Sequence, residues 1–229
     1  LSAEALASLE EVTRGRPLWT FVVNVADRGA VEALPGRVEE RCGAVDGLIH
    51  CAGIIQPFVR LHELQDAAIQ RVVDVNLWGT LFIDRAFLPG LLRRPEAHLV
   101  NVSSMGGFLP VPGQTVYGAT KAAVKLLTEG LYAETLGTSV RVSLVLPGAV
   151  GTSIAANSGV VVPGGGDAKA SGRMTSAEVA ARTILDGMER DAFHVFVGWD
   201  ARLMDLLVRV APRRATHFIR RQMARLLGG

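Results

Sequence analysis

Short apolar segments alternate with longer segments of helical periodicity along most of the chain. The apolar segments are rich in Val, Leu and Ile, as β-strands are, and lie at 18–26, 45–53, 97–104, 139–148 and 193–198. Apolar residues recur with helical spacing at 1–12, at about 64–94, around 117–121 and at 176–189. Asp27 is predicted to cap a further helix, which is interrupted at Pro35–Gly36.

This alternation of strands and helices predicts one α/β domain that spans residues 1–229. Nearly continuous apolar strands are typical of a parallel sheet that helices cover on both faces, in a doubly wound, Rossmann-like αβα arrangement of three layers. Such sheets bind their ligands at the carboxyl ends of the strands. Four features fall at the predicted strand ends: Asn24–Val25, the HCAG sequence at 50–53, Ser103–Ser104 and Pro147–Gly148.

The composition excludes several functional classes. The chain is 49% hydrophobic and 20% charged, and its net charge of +2 gives no reason to expect nucleic-acid binding. Its two cysteines, Cys42 and Cys51, exclude a disulfide scaffold and predict a reducing, cytoplasmic environment. The five histidines lack the spacing of metal ligands, so no metal is predicted. No segment has the pattern of a signal peptide or of a membrane-spanning helix.

One predicted helix carries a phenol and an ammonium group beside small residues. In VYGATKAAVK (116–125), Tyr117 and Lys121 lie four residues apart and therefore on one face of the helix. Taken singly, such a tyrosine is more often a half-buried core residue and such a lysine a solvated one. The interpretation as a site depends on Asn76 and Ser104, which the fold would bring to the same edge of the sheet.

Together these residues resemble the short-chain dehydrogenase/reductase family, of the single-domain type, over about residues 18–197. Tyr117 and Lys121 match the YxxxK motif of the family, and Ser104 lies thirteen residues before Tyr117, as the catalytic serine of the family does. Asn76, in VNLWGT, matches the asparagine that completes the catalytic tetrad. The resemblance implies an NAD(P)-dependent oxidoreductase that interconverts a secondary alcohol and a ketone or related carbonyl compound.

The resemblance also assigns a role to each residue of the tetrad. Tyr117 would be the general acid/base, and Lys121 would activate it and bond the nicotinamide ribose. Ser104 would hold the substrate oxygen, and Asn76 would anchor a water that links Lys121 to solvent. Because free tyrosine has a pKa near 10, the Lys121 cation is expected to lower the pKa of Tyr117 toward neutrality.

A binding site for NAD or NADP is implied in the same way. HCAG stands where the family usually has Asn-Asn-Ala-Gly, Asn24–Val25 stands where relatives often have Asp-Val at the adenine, and Pro147–Gly148 with Thr152 matches PGxxxT. The implied cofactor-binding residues are Asn24, Val25, His50, Cys51, Ala52, Gly53, Tyr117, Lys121, Pro147, Gly148, Val150 and Thr152.

The sequence lacks the TGxxxGxG turn that receives the pyrophosphate in this family. Residues 1–12 resemble the helix that follows the second strand of the family, so an N-terminal strand–helix–strand unit is expected to be missing from the given chain. In the family's strand order, 3-2-1-4-5-6-7, the missing strands would lie between the segments at 18–26 and 45–53. The residue that selects NAD or NADP would belong to the missing unit, which leaves both cofactors open.

Two further segments bear on the substrate and on partners. Residues 151–175 would be the substrate loop, and their apolar character fits either an apolar small molecule or mere packing of the loop. The tail at 202–227 carries seven arginines against one aspartate. Contact with an anionic membrane surface is less favoured for this tail than cover for apolar surface of its own protein or of a partner subunit. By resemblance, outward apolar residues on the helices at 64–94 and around Tyr117 predict a homodimer or homotetramer.

The main alternative is a degenerate relative that keeps the fold as a non-enzymatic binding or oligomerisation module. The absent glycine turn favours this alternative, whereas the retention of Asn76, Ser104, Tyr117 and Lys121 favours an enzyme. The sugar-nucleotide epimerase or dehydratase branch of the family is a second alternative. Its members usually carry a much longer C-terminal domain than the residues that follow Pro147.

Overall fold

A computed structural model describes residues 17–163 and 174–224. Its central sheet consists of parallel strands with the bounds Gly47–His50 (β1), Ala97–Val102 (β2), Val140–Pro147 (β3) and His194–Val197 (β6). Two short parallel strands, Val150–Gly151 (β4) and Thr175–Ser176 (β5), pair with each other. The spatial order β1-β2-β3-β6 equals the chain order, as expected for the last four strands of the family's sheet. The helix predicted at 1–12 lies outside the described residues.

The α-helices of the described residues are α1 (Arg28–Glu32), α2 (Leu34–Cys42), α3 (Asp66–Val73), α4 (Gly79–Leu91), α5 (Thr115–Thr135), α6 (Ile154–Ser158), α7 (Ala177–Glu189), α8 (Trp199–Val210) and α9 (Pro212–Gln222). A π-helical turn at Asp74–Trp78 joins α3 to α4 without a break. The prediction of one long helix at about 64–94 is therefore confirmed. Short 3-10 turns lie at Leu61–Glu63 and Met105–Gly107.

Helices cover both faces of the sheet. On one face, α1, α4 and α5 enclose a buried cluster formed by Val31, Ile83, Phe87, Leu91, Ala97, Leu99, Leu131, Val140 and Val142. On the other face, α7 packs against a second cluster formed by Val100, Val145, Ala180, Val195 and Val197. Adjacent residues of β2, Leu99 and Val100, belong to opposite clusters because successive side chains of a strand point to opposite faces. The predicted three-layer parallel α/β fold is confirmed.

The strand predicted at 18–26 is wrong. Among the described residues, no strand lies alongside this segment, and a strand exists only where a neighbour completes its ladder of hydrogen bonds. The segment divides its apolar residues between the core and solvent: Val23 and Val25 pack against the first cluster, whereas Val22 is 67% exposed. A β-rich composition therefore did not suffice to make a strand here.

The helix predicted after Asp27 is confirmed, with its interruption slightly earlier than expected. Asp27 Oδ1 accepts a hydrogen bond of 3.1 Å from the amide of Ala30 and caps α1. The break falls at Ala33, and Pro35 lies in the first turn of α2. Proline is well suited to a first turn because the N–H that it lacks has no partner there.

The basic tail forms two helices that differ in how they bury their apolar residues. In α9, Ala215 and Ile219 are buried, whereas α8 leaves an apolar stripe at least partly exposed, formed by Trp199, Leu203, Leu206 and Val210. None of the helices in the described parts of the chain combines the length and the apolar character that crossing a bilayer requires.

Candidate active site

The carboxyl ends of the central strands open into a cavity of about 370 Å³. The predicted site residues that line it are Cys51, Gly53, Ser104, Tyr117, Lys121, Pro147, Gly148, Val150 and Thr152. Ile154 of α6 and Ala180 and Ile184 of α7 add apolar wall. A larger cavity, of about 600 Å³, involves the amino ends of β1 and β2, and none of the predicted site residues lines it.

Tyr117 lies in the first turn of α5, half-buried, with its phenol beside Ser104. Burial raises the pKa of Tyr117 above its ordinary value, and the neighbouring Ser104 hydroxyl opposes that rise. Ser104 Oγ also accepts a hydrogen bond of 3.0 Å from the amide of Gly106, which fixes the hydroxyl just after β2. The serine and tyrosine hydroxyls therefore lie side by side on the cavity wall.

Glycines allow the 3-10 turn after Ser104 to approach α5 closely. A Cβ on Gly107 would lie 2.8 Å from the backbone carbonyl carbon and oxygen of Lys121. A Cβ on Gly118 would lie 2.9 Å from the carbonyl oxygen of Gly106. A larger residue at either position would push the turn away from the helix and separate Ser104 from Tyr117.

Lys121 is only 4% exposed, and its Nζ donates a hydrogen bond of 2.9 Å to the carbonyl of Val102. Ser103 Oγ donates to the Lys121 carbonyl at 2.7 Å, so backbone and side chain are both tied to the end of β2. Burial lowers the pKa of Lys121 from 10.5 to about 8, with the nearby Cys51 thiol acting in the opposite direction. The expectation that Lys121 lowers the pKa of Tyr117 is not met in this structure, because burial dominates at both groups.

Asn76 lies fully buried in the π-helical turn and connects two segments of the site. Its Oδ1 accepts from the Ile54 amide at 2.8 Å, and its Nδ2 donates to the Ile54 carbonyl at 2.9 Å and to Thr120 Oγ1 at 3.1 Å. Because Thr120 precedes Lys121, Asn76 ties the loop after β1 to the helix that carries Tyr117 and Lys121. Asn76 lies behind the cavity wall and does not line it.

The HCAG sequence contributes both wall and support. His50 is 6% exposed, and within the described parts of the chain its Nε2 has no hydrogen-bond partner. Burial lowers the pKa of His50 to about 4, and the charge of Lys121 acts in the same direction. Cys51 and Gly53 line the cavity, and a Cβ on Gly53 would lie 3.1 Å from Lys121 Nζ.

Asp200, which sequence reasoning missed, supports the Pro147–Gly148 turn from the first turn of α8. Its Oδ2 accepts a hydrogen bond of 3.0 Å from the amide of Ala149. The same carboxylate occupies the space that a Cβ on Gly148 would need. After this turn, Thr152 Oγ1 accepts from the amide of Ile154 at 3.4 Å, at the start of α6.

Asn24, Val25 and Ala52 are not among the residues that line the cavity. Asn24 Oδ1 accepts a hydrogen bond of 3.1 Å from the amide of Ala26, which closes a tight turn before α1. Val25 packs against Gly79, where an added Cβ would lie 3.0 Å from Val25 Cγ2. A role for Asn24 and Val25 at an adenine ring stays a prediction.

Sequence reasoning also missed Gln56 and Thr120 and gave Ser103, noted at a strand end, no role of its own; all three side chains hold site residues in place. The available signal for Ser103 and Thr120 was adjacency, since they precede Ser104 and Lys121 directly. Gln56 gave no signal, because in sequence a glutamine in a loop resembles a solvated residue. In the fold it is fully buried, and its Oε1 accepts from the amides of Val116 and Tyr117 at 2.9 and 3.0 Å.

Comparisons with known proteins identify the family and the fold. The sequence model of the family described as short chain dehydrogenase matches residues 2–160. A Mycobacterium tuberculosis protein, provisionally named oxidoreductase SadH, is 35% identical over 198 residues, which are 82% of this chain and 70% of that protein. The 1-deoxy-11-beta-hydroxypentalenate dehydrogenase of Streptomyces exfoliatus is 32% identical over 196 residues, which are 85% of this chain and 70% of that enzyme.

The fold has solved counterparts as well. A short chain dehydrogenase/reductase from Burkholderia phymatum, solved in complex with NAD, superposes with a TM-score of 0.77. The two chains are 26% identical, and the match covers 91% of this chain and 81% of the other.

Proposed function

The chain belongs to the short-chain dehydrogenase family, and from that premise we propose that it interconverts a secondary alcohol and a ketone or related carbonyl compound with NAD or NADP. The observation that carries this proposal is the meeting of Ser104, Tyr117 and Lys121 at one cavity, with Asn76 bonded behind them. A module kept only for binding or oligomerisation would have no need of this arrangement.

The residues present fit the nicotinamide half of such a cofactor. The cavity is bounded by Gly53 and by the Pro147–Gly148 turn, and by the polar groups of Lys121 and Thr152. A side chain at Gly53 would crowd Lys121 Nζ, which supports the view that this surface is kept clear for a ribose. When bound, the nicotinamide would supply or accept the hydride.

The other implied binding residues extend this surface. His50, Cys51 and Ala52 would border the adenosine ribose through the backbone after β1. Asn24 and Val25 would lie at the adenine, whose amino group can donate to an amide oxygen. Lys121 would bond the nicotinamide ribose hydroxyls in place of the Val102 carbonyl that it now contacts.

Tyr117 would move the proton at the substrate oxygen. In carbonyl reduction the neutral Tyr117 phenol would give its proton to the substrate oxygen as the carbon gains a hydride. In alcohol oxidation the Tyr117 phenolate would accept the hydroxyl proton as the carbon loses a hydride. Ser104 has accepted the Gly106 N–H, which leaves its own hydroxyl hydrogen free for the phenol or the substrate oxygen. Ser104 would therefore hold the reacting oxygen beside Tyr117 in both directions.

The surroundings of these groups favour an apolar substrate. Apolar side chains supply part of the wall beside the polar Ser103, Ser153 and Asn157; they are Val102, Val150, Ile154, Ala180, Ile184 and Val197. Pairing of β4 with β5 holds together the two ends of the predicted substrate loop at 151–175. The Streptomyces relative, by its name, dehydrogenates a hydroxylated pentalenate, which supports an alcohol as the substrate class of this chain.

The test is turnover of NADH, NADPH and their oxidised forms with a panel of apolar secondary alcohols and ketones. Tyr117→Phe keeps the ring and removes the hydroxyl, and we expect turnover to fall by at least about 10²-fold. Tyr132→Phe, on the same helix but outside the cavity, is the matched control and should keep its activity. Near-normal turnover by Tyr117→Phe would contradict the role of Tyr117, and no turnover by the unaltered chain would favour a binding module.

We also propose that the chain acts as a homodimer or homotetramer. Trp78, Leu92 and Leu126 are 47%, 44% and 71% exposed on the long helix that contains α4 and on α5, where apolar residues favour a partner helix. Sedimentation at micromolar concentration tests this proposal, and a strictly monomeric species would contradict it.

A further inference from the structure

The first turn of α5 receives its hydrogen-bond acceptor from a distant part of the chain. Gln56 Oε1 accepts from the amides of Val116 and Tyr117, at 2.9 and 3.0 Å. Gln56 Nε2 donates to the carbonyl of Gly113 at 3.0 Å, just before the helix. Gln114, which stands at the N-cap position, makes no cap with its side chain, and its Nε2 donates instead to the Gln56 carbonyl at 2.7 Å.

Gln56 also belongs to the segment that links the cavity to the rest of the fold. The preceding residue, Ile55, donates its amide to Ser158 Oγ of α6 at 3.0 Å. The residue before Ile55 is Ile54, whose amide donates to Asn76 Oδ1 and whose carbonyl accepts from Asn76 Nδ2. The loop after β1 is thus bonded to the π-helical turn and α6. It reaches the Tyr117 carbonyl through Asn76 and Thr120 Oγ1, and the Gln56 side chain bonds the Tyr117 amide directly, at the first turn of α5.

We propose that Gln56 is a positioning residue for Tyr117, which holds the first turn of α5 so that the phenol stays beside Ser104. The proposal rests on the proposed function in taking Tyr117 as the group that moves the proton. Amides in the first turn of a helix lack partners within the helix, so Gln56 satisfies two donors that would otherwise be unpaired away from water.

The geometry leaves little room for movement at this point. Gly118, the residue after Tyr117, already approaches the Gly106 carbonyl so closely that a Cβ would lie 2.9 Å from it. A shift of the first turn of α5 would therefore displace the turn that carries Ser104 or break the contact between Ser104 and Tyr117. Small displacements of reacting groups cost large factors in rate.

The chain offers a direct readout, because its only tyrosines are Tyr117 and Tyr132. In a Tyr132→Phe background, the ultraviolet absorbance of tyrosinate reports the ionisation of Tyr117 alone, without substrate or cofactor. Gln56→Met keeps the length and removes the amide, whereas Gln56→Glu keeps an acceptor and adds a charge. Ser158→Ala removes the neighbouring bond to Ile55 and leaves the bonds to α5 intact, so it is the matched control.

We expect both Gln56 variants to titrate at higher pH than the background chain. Gln56→Met weakens the Ser104 contact that favours tyrosinate, and Gln56→Glu places a negative charge near the phenol. The ionisable groups near the phenol, Lys121 and Cys51 on the cavity wall and His50 behind it, are the same in every variant. Ser158→Ala should leave the titration midpoint unchanged.

Turnover supplies the second readout. We expect Gln56→Met to lower kcat by about tenfold or more with little change in KM, because Gln56 holds Tyr117 and touches no substrate. Unchanged tyrosinate midpoints in folded Gln56→Met and Gln56→Glu would overturn the proposal. If the unaltered chain turned over no substrate, the proposed function would fail, and the titration would still decide the role of Gln56.

Discussion

Lys121 Nζ donates a hydrogen bond of 2.9 Å to the backbone carbonyl of Val102, the last residue of β2. This neutral acceptor does not compensate for the loss of water around a buried ammonium, and the pKa of Lys121 is accordingly lowered to about 8. The fold therefore holds a cation where it is unfavourable for stability. Buried groups of this kind are typical of functional sites.

Replacing Lys121 should stabilise the fold while removing activity. The folded-state pKa of about 8 lies below the ordinary value of 10.5, so the folded chain binds fewer protons than the unfolded chain between these values and gains stability as pH rises through that window. Lys121→Met should therefore exceed the unaltered chain in free energy of unfolding below about pH 8, by a margin that shrinks toward 10.5. Urea unfolding across this range measures the margin.

Lys125, on the same helix and paired with Glu129 at 2.7 Å, is the matched control. Lys125→Met should show no such pH-dependent gain and should keep its activity. A Lys121→Met chain that is less stable than the unaltered one at neutral pH would contradict the prediction.

His50 should make the fold sensitive to mild acid. Its folded-state pKa of about 4 lies below the ordinary 6.5, because burial and Lys121 disfavour the imidazolium. The folded chain therefore loses stability as pH falls from 6.5 toward 4. His50→Asn, which restores the amide usual in the family, should lose less stability over the same range in thermal unfolding. The exposed His62, replaced in the same way, should follow the unaltered chain.

Asp84, in contrast to His50, should lower the stability of the fold as pH rises. It is 2% exposed in α4, its Oδ2 accepts from Asn101 Nδ2 at 2.8 Å, and burial raises its pKa from 3.8 to about 7. The protonated form is favoured in the fold, so its stabilising contribution is present below 3.8 and is lost as pH rises through about 7.

Asp84→Asn should accordingly unfold at higher urea than the unaltered chain above pH 7, with the advantage declining toward 3.8. Asp186→Asn, at an exposed position of α7, supplies the comparison. An advantage for Asp84→Asn that did not depend on pH would point to packing alone.

Alanine should destabilise the fold at Gly107 but not at Gly130. A Cβ on Gly107 meets the Lys121 backbone at 2.8 Å, so Gly107→Ala should cost about 1–3 kcal/mol of unfolding free energy and reduce turnover. Gly130, within α5, has nothing within 4 Å of an added Cβ, and Gly130→Ala should stabilise the chain by up to about 1 kcal/mol. Equal effects of the two substitutions in denaturant unfolding would refute the close approach.

The sequence was most informative where local pattern and fold agree. The strands β1, β2, β3 and β6 are short segments rich in Val, Leu and Ile, and their positions and order could be predicted. Ser104, Tyr117 and Lys121 could be predicted as well, because the spacing between them is set by a strand, a turn and one helical face. Their meeting at one cavity follows from the common edge of a parallel sheet.

Features that depend on distant partners could not be predicted. The segment at 18–26 has the composition of a strand, but among the described residues it has no neighbouring strand to pair with. Gln56 and Asp200 act on the helix start at Tyr117 and on the turn at Gly148, which lie far away in sequence. The pKa of Tyr117 is set by burial in the assembled fold, which spacing along a helix does not reveal.

The π-helical turn at Asp74–Trp78 fixes the helical phase between α3 and α4. Each residue of a helix advances its faces by about 100°, so a deletion within this turn would rotate α3 against α4 by that angle. Asn76 would then point away from Ile54, and Val72 or Phe87 would leave the core. A one-residue deletion in this turn would therefore disrupt the site without removing any of its functional groups. Most helices would tolerate a conservative substitution at such a place.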